Sequence, residues 1–268
     1  MFETLKNVFR VKEMRRKLLY LIWMIFIIRI GCQIPVPGVD SDFFKQWFSS
    51  NAGDAFNFFD AFTGGSFERM SIFALNITPY ITSSIIIQLL TIAIPALEEM
   101  QRDGEEGRKK MTAITRYVTV GLALFESIAM AIGFGRQGMI PNLDFFKGVV
   151  VVACLTAGSA MLMWLGERIT EKGVGNGISI VLTINIIFRV SSDLTLLYEN
   201  FIKGKTIAKG TLAGLIIAAV ILLVVVLVLI LNGAERRIPV QYSKKMVGRK
   251  LMGGQSTNIP LKVNTVYN

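Results

Sequence analysis

The sequence predicts an all-α fold, a polytopic membrane helix bundle, on three observations. Six long apolar runs with few charges lie along its 268 residues. Lys and Arg concentrate in alternate loops between those runs. No βαβ pattern or histidine cluster suggests a soluble enzyme. Composition agrees, with 52% apolar residues, 18% charged residues and a mean hydropathy of +0.53.

A hydrocarbon core about 30 Å thick takes about 20 helical residues, which sets the length of each element. Residues 1–17 hold six Lys/Arg and no cleavage-site pattern, so they read as a retained cytoplasmic basic arm. The first span is 18–36, and Arg29 in its outer third reads as snorkelling to the outer headgroups. Next comes 58–75, FFDAFTGGSFERMSIFAL, too short and too polar to cross. Gly64-Gly65 ends a first short helix and Ser66 can cap a second over 67–75. Irregular backbone at membrane depth is tolerated only beside protein or a water-filled cavity, so this piece reads as re-entrant or cavity-filling.

Asn76 and Pro79 break the path before 77–97 makes the second crossing. Ile77 and Ile81 fall on one face of that helix, as do Leu182 and Ile186 in the fifth span. Such pairs are usually packing; their other use is an apolar constriction that resists water and ions. The third span, 117–134, carries Glu126 too deep to snorkel far, facing an interhelical polar seam, an aqueous cavity or a simple interhelical hydrogen bond. The fourth span is 148–165. GVGNG at 173–177 lacks the GK[ST] ending of a phosphate loop and reads as a tight turn, with Asn176 capping the next helix. The fifth span, 178–188, is short and reaches full length only if its flanks lie near the interfaces. The sixth, 211–231, has no charge in 21 residues. The expected organisation is therefore an arm at 1–17, a five-span half at 18–192 containing 58–75, a sixth span at 211–232 and a basic cytoplasmic loop at 233–268.

With the N-terminus inside, inner segments hold 20 of the 29 Lys/Arg and outer segments eight, which supports both ends being cytoplasmic. The net charge of +10 thus reads mainly as topology, although the basic tail can also touch ribosomal RNA. Enzyme chemistry is poorly served. No histidine is present, and Cys32 and Cys154 lie in different spans without metal spacing, so no catalytic residue, metal or cofactor is expected.

Five co-linear motifs carry a resemblance: GGSFERMSIFALNITPYITSSIIIQLL, RIGCQIPVPGVD at 29–40, GEEGRKKMTAITRY at 104–117, GERITEKGVGNGISI at 166–180 and QSTNIPLKVN at 255–264. In their order along the chain they resemble the SecY family, the channel subunit of the bacterial Sec protein translocase, along essentially the whole sequence. The resemblance implies a protein-conducting channel in the cytoplasmic membrane, moving unfolded secretory proteins across it and membrane proteins into it. It implies that 58–75 is a plug, with Phe62, Gly64, Gly65, Phe67, Arg69 and Met70 as its residues. Ile77, Ile81, Leu182 and Ile186 correspond to a pore ring, where the family usually has Ile or Val, so Leu182 is a mild departure. Thr82, Gln88 and Glu126 correspond to a lateral gate. Lys244, Lys245, Arg249 and Lys250 correspond to a docking loop for the SecA motor or the ribosome. Implied partners are SecE, SecG, SecA, the ribosome, signal sequences and preproteins, and membrane lipid. Work comes from a motor, translation or the proton-motive force, since no nucleotide site is present.

The family has ten spans in two inverted halves. This sequence stops at Asn268, before a seventh span, and TVYN differs from the family pattern there, so the chain is expected to be an N-terminal portion needing a complementary half. Two other classes fit the composition. One is half of a secondary transporter, which predicts an ion or small-molecule site near Glu126. The other is a non-transporting membrane scaffold fragment.

Overall fold

A computed structural model of the protein describes residues 11–51, 54–138, 140, 144–203, 207–240, 245–247, 250–252 and 257–262. The chain divides into two compact units, Met1–Asp193 and Leu194–Asn268. The first holds α1 (Lys12–Gly31), α2 (Ser41–Asn51) and α3 (Asp54–Thr63), a run of turns over 64–77, and then α4 (Thr78–Ala93), α5 (Pro95–Arg102), α6 (Gly104–Arg136) and α7 (Phe145–Lys172). Helix α8 (Gly177–Phe201) begins in the first unit and ends in the second. The second unit adds α9 (Ile207–Gly233) and four short strands: β1 (Glu235–Val240), β2 (Lys245–Val247), β3 (Lys250–Met252) and β4 (Thr257–Lys262).

Among the described residues, Gly104–Arg136, Phe145–Lys172, Gly177–Glu199 and Gly210–Gly233 are helices long and apolar enough to cross a membrane. A fifth crossing is present if the bent pair α4–α5 counts as one. The last of these shows what solvent the protein needs: Leu222 and Leu229 on α9 are 66% and 65% exposed. A helix apolar all round and uncovered calls for hydrocarbon about it.

Two expectations about the spans are corrected, and the flank the fifth span needs is present as helix. The first span does not continue as helix to 36. Helix α1 ends at Gly31, and beyond it Pro35 bridges to Ser71, with Val36 N–H donating to the Met70 carbonyl at 3.0 Å. Helix α1 also carries Arg15, Arg16, Lys17 and Arg29, so a crossing here needs the non-helical 32–36 as well as the helix. The second span does not run straight to 97, because Pro95 drives the residue before it out of the helical region. Ile94 is extended (φ −114°, ψ 110°) and the axis turns by 104°. The fifth helix is longer than its apolar stretch: α8 carries 25 residues straight past Arg189 and Asp193. Asn176 does cap it, accepting from the backbone N–H of Ile178 at 3.1 Å and Ser179 at 3.4 Å.

Helices α6 and α7 pack along small and hydroxyl residues. Buried Thr115, Thr119, Ala123, Ser127 and Ala131 repeat every four residues down one face of α6. Thr119 lies 2.5 Å from Ser83 on α4, and Ser127 lies 2.9 Å from Thr156 on α7. Hydroxyls that bond between helices hold a bundle together where lipid competes equally for apolar contacts. Tyr117 and Phe125 on α6 stay 80% and 71% exposed, as lipid-facing side chains do. The basic loop at 233–268 is not wholly irregular. It holds two antiparallel ribbons, β1–β4 with Glu235 opposite Lys262, and β2–β3 with Lys245 opposite Met252. Pro239 and Pro260 are tolerated because each strand has a free edge.

Candidate functional site

Residues 64–77 form consecutive turns, not the helix expected over 67–75. Backbone N–H groups of Met70, Ala74 and Asn76 donate to carbonyls three residues back, at Phe67, Ser71 and Phe73. Left-handed backbone at Gly64 (φ 67°), Met70 (φ 46°) and Asn76 (φ 52°) interrupts any helix. The reversals turn Phe67 and Met70 into one apolar cluster and Phe73 and Ile77 into a second, and all four are at most 3% exposed. Phe67 packs edge-on to Phe44, Phe48, Phe59 and Phe134. Ser66 does not act as the predicted cap, for its hydroxyl has no hydrogen-bond partner. Asp60 takes the capping role instead: Oδ1 accepts from the Glu68 N–H at 2.9 Å, and the Thr63 hydroxyl accepts from the Phe67 N–H at 3.2 Å.

Polar side chains from α8 and α1 hold this segment from outside. Asn185 Nδ2 donates to Asn76 Oδ1 at 3.2 Å, and Asn76 Nδ2 donates to the Phe62 carbonyl at 2.7 Å. Arg29 donates to Asn185 Oδ1 at 3.4 Å and lies 3.9 Å over the Phe188 ring, so it faces the bundle and does not snorkel. One turn along α8 from Asn185, Arg189 Nη1 donates to Glu68 Oε2 at 2.8 Å and lies 2.9 Å from Asp60 Oδ2. Its Nε is 3.3 Å from Asp193 Oδ1. Burial pushes the Asp60 carboxyl above the usual carboxylate range, while the Glu68 N–H and the Arg189 guanidinium oppose that shift. Gly64 lets α8 come this close, since a Cβ there would sit 2.8 Å from the Asn185 carbonyl oxygen.

Beyond the turns the environment changes twice. Ile77 is fully buried among Ile28, Phe73, Leu162, Leu165 and Val181, and Ile81 packs against that cluster. Past Ile81 opens a cavity of about 670 Å³ lined by Ile81, Ser84, Gln88, Thr112, Arg116 and Glu167, among others. Arg116 Nε donates to Glu167 Oε1 at 2.8 Å in its wall. The segment 64–77, an apolar step at Ile77 and Ile81, and a polar cavity therefore follow one another.

The other residues singled out in the sequence fall in varied places. Leu182 and Ile186 are not members of the Ile77 cluster. They follow Val181 and Asn185 by one position, about 100° round α8, and Ile186 is 36% exposed. Phe62 is exposed, and the exposed Arg69 donates to Gln33 Oε1. Thr82 donates to the Thr78 carbonyl of its own helix at 3.0 Å. Among the described residues no hydrogen bond joins it to Glu126, which is half-buried. Lys245 and Lys250 lie on β2 and β3; Lys244 and Arg249 lie outside the described residues. Asp60, Asn185 and Arg189 escaped the sequence reading. The spacing of Asn185, Arg189 and Asp193, four residues apart, is the signal that marks them. Among the described residues no group of His, Cys, Asp or Glu is placed to hold a metal ion.

Residues 71–267 match the family model for SecY. The chain belongs to the SecY family. It is 43% identical over 272 residues to the protein translocase subunit SecY of Halalkalibacterium halodurans, covering 98% of this chain and 62% of that relative. To SecY of Escherichia coli K12 it is 40% identical over 256 residues, covering 94% of this chain and 57% of that one. The chain thus spans about three-fifths of the length of these SecY relatives. Among solved structures it resembles one described as the structure of a protein conducting channel, with a TM-score of 0.56, 19% identity and coverage of 92% of this chain and 52% of that one. It also resembles Sec61 in the canine ribosome-channel complex, with a TM-score of 0.55, 19% identity and coverage of 90% and 53%. At such identity these two show the fold alone, a membrane bundle of the SecY type.

Proposed function

We propose that this chain supplies the first five spans and the sixth span of a protein-conducting channel, without enzymatic activity of its own. The observation that carries this is the order of the site: a buried turn segment, an apolar step at Ile77 and Ile81, and a polar cavity. In a pore, that order gives a plug, a constriction that excludes ions by dewetting, and a wet vestibule. Ile77 and Ile81 from α4, with Leu182 and Ile186 from α8, contribute to the ring, and the partial exposure of Ile186 leaves surface for further ring members to cover. Thr82, Gln88 and Glu126 line one side of a lateral gate through which signal sequences reach lipid.

The channel sits in the cytoplasmic membrane with the N-terminus inside, in keeping with the distribution of Lys and Arg. The second unit bears a basic ribbon, with Arg236 and Arg237 on β1 and Lys262 on β4, that suits docking of SecA or the ribosome, including its RNA. SecE and SecG are the expected membrane partners, and unfolded preproteins the cargo.

A photo-crosslinking residue at position 81 or 186 tests this in the complete translocase. With a preprotein stalled in transit, both positions crosslink to it, and position 125 on the lipid face of α6 does not. Equal yields from all three positions, or none from 81 and 186, would overturn the reading.

A further inference from the structure

We propose that Arg189 is a positioning residue, an ionic latch by which α8 holds the segment 58–77 in its seated position. The proposal rests on the plug reading for its functional consequence, but its geometry is independent of it. One guanidinium meets carboxylates from three places: Asp60 on α3 at 2.9 Å, Glu68 in the turns at 2.8 Å and Asp193 on α8 at 3.3 Å. Asp60 is fully buried, and the Arg189 side chain is 17% exposed. The Arg189–Asp60 pair is therefore screened far less than a surface pair, and removing Arg189 strands the Asp60 carboxylate in a poor solvent.

The latch differs in kind from packing. Phe67 and Met70 hold the segment through apolar contact, which any seated or slightly shifted position satisfies in part. Arg189 instead requires Asp60 and Glu68 together at one register, because its Nη1 donates to Glu68 and at the same time lies 2.9 Å from Asp60 as an ion pair. Asp60 also fixes the turns, since its second oxygen accepts the Glu68 N–H. Arg189 thus holds both the helix before Gly64-Gly65 and the turns after it. Losing it frees the hinge between them. The arrangement carries three carboxylates on one cation, so a negative residue at 189 repels the segment, whereas exchanging the charges of 189 and 68 keeps the total the same.

The test uses the complete translocase containing this chain, with Cys32→Ser and Cys154→Ser as background and Ser66→Cys as a reporter, since Ser66 is fully buried. A water-soluble maleimide labels position 66 only when the segment leaves its seat. Arg189→Gln raises the labelling rate about tenfold or more, the factor set by losing a charge-assisted hydrogen bond. Arg189→Glu raises it further, and Arg189→Glu with Glu68→Arg brings it part of the way back, because the exchanged side chains can pair with each other while Asp60 and Asp193 still face position 189. Unchanged labelling in Arg189→Gln and Arg189→Glu would overturn the latch. So would a charge exchange that labels as fast as Arg189→Glu alone, for then lost packing and not charge would be the cause. Deleting 57–71 is the parallel control. If that deletion leaves the membrane's ion leak unchanged while the labelling pattern holds, the sealing role falls and the latch stands.

Discussion

Gly158 on α7 is a point of close backbone approach between the seated segment and a helix, and Gly158→Ala measures how firmly the segment is seated. A Cβ at position 158 would lie 2.0 Å from the Ile72 carbonyl oxygen and 2.8 Å from Ile72 Cγ2. Normal contact needs a retreat of more than an ångström by backbone, not by the far end of a side chain. Ile72 cannot retreat freely, because its N–H donates to the Ile34 carbonyl at 3.0 Å beside the Val36–Met70 bond. Overpacking costs about 1–3 kcal/mol, and weakening a backbone hydrogen bond adds about 0.5–1.5 kcal/mol. The helical preference for Ala over Gly offsets about 1 kcal/mol, which leaves a net loss near 2 kcal/mol. Gly121→Ala and Gly133→Ala on α6 meet nothing within 4 Å and keep only the favourable part. Thermal unfolding in detergent, followed by tryptophan fluorescence, reads the difference. At about 2–4 °C per kcal/mol, Gly158→Ala lowers the midpoint by roughly 4–8 °C, and the controls raise it slightly. A Gly158→Ala midpoint at or above that of Gly121→Ala would refute the close seating of Ile72 on α7.

Asn76→Ala loses the bonds to Phe62 and Asn185 and leaves Ala in left-handed backbone, whereas Asn76→Gly loses only the bonds. The Gly variant is therefore the more stable of the two by about 1 kcal/mol in chemical denaturation, and equal stabilities would contradict the strain assigned to position 76. Phe67→Ala, inside the aromatic cluster, destabilises by about 3–5 kcal/mol. By contrast Phe58→Ala, at a ring that is 67% exposed, changes the same unfolding curve little. For topology, a membrane-impermeant thiol reagent applied to intact cells labels Lys45→Cys and spares Lys109→Cys; the reverse pattern would invert the orientation.

The helices of the bundle were legible wherever a local rule decides them. The uncharged run at 211–231 lies within α9, 117–134 and 148–165 lie within α6 and α7, and Asn176 starts α8. The exceptions are non-local. A Ser66 cap and an apolar stretch argue for a helix over 67–75, but burying Phe67 in one cluster and Phe73 in another needs reversals that no helix supplies. Arg29, near the end of an apolar stretch, looks like a headgroup anchor, and Arg189 like one more basic residue of an outer segment. Their partners Asn185 and Asp60 are more than a hundred residues away, and only the fold brings them together. Pro95 was visible, yet an apolar run continuing past it concealed the 104° bend. The ribbons at 235–262 are short and polar, below the length at which alternation stands out from a loop. Of the candidate site, the Ile77–Ile81 pair could be read from spacing; the four-residue spacing of Asn185, Arg189 and Asp193 marks a polar face of α8, but which segment that face ties down could not be read.

The central claim is that the segment seated above Ile77 seals a pore, and ion conductance tests it most directly. The complete translocase containing this chain is incorporated into a planar bilayer, intact and with 57–71 deleted, and current is recorded at fixed voltage without substrate. The deletion is predicted to give a persistent leak that the intact channel lacks. Indistinguishable currents from the two would contradict the claim.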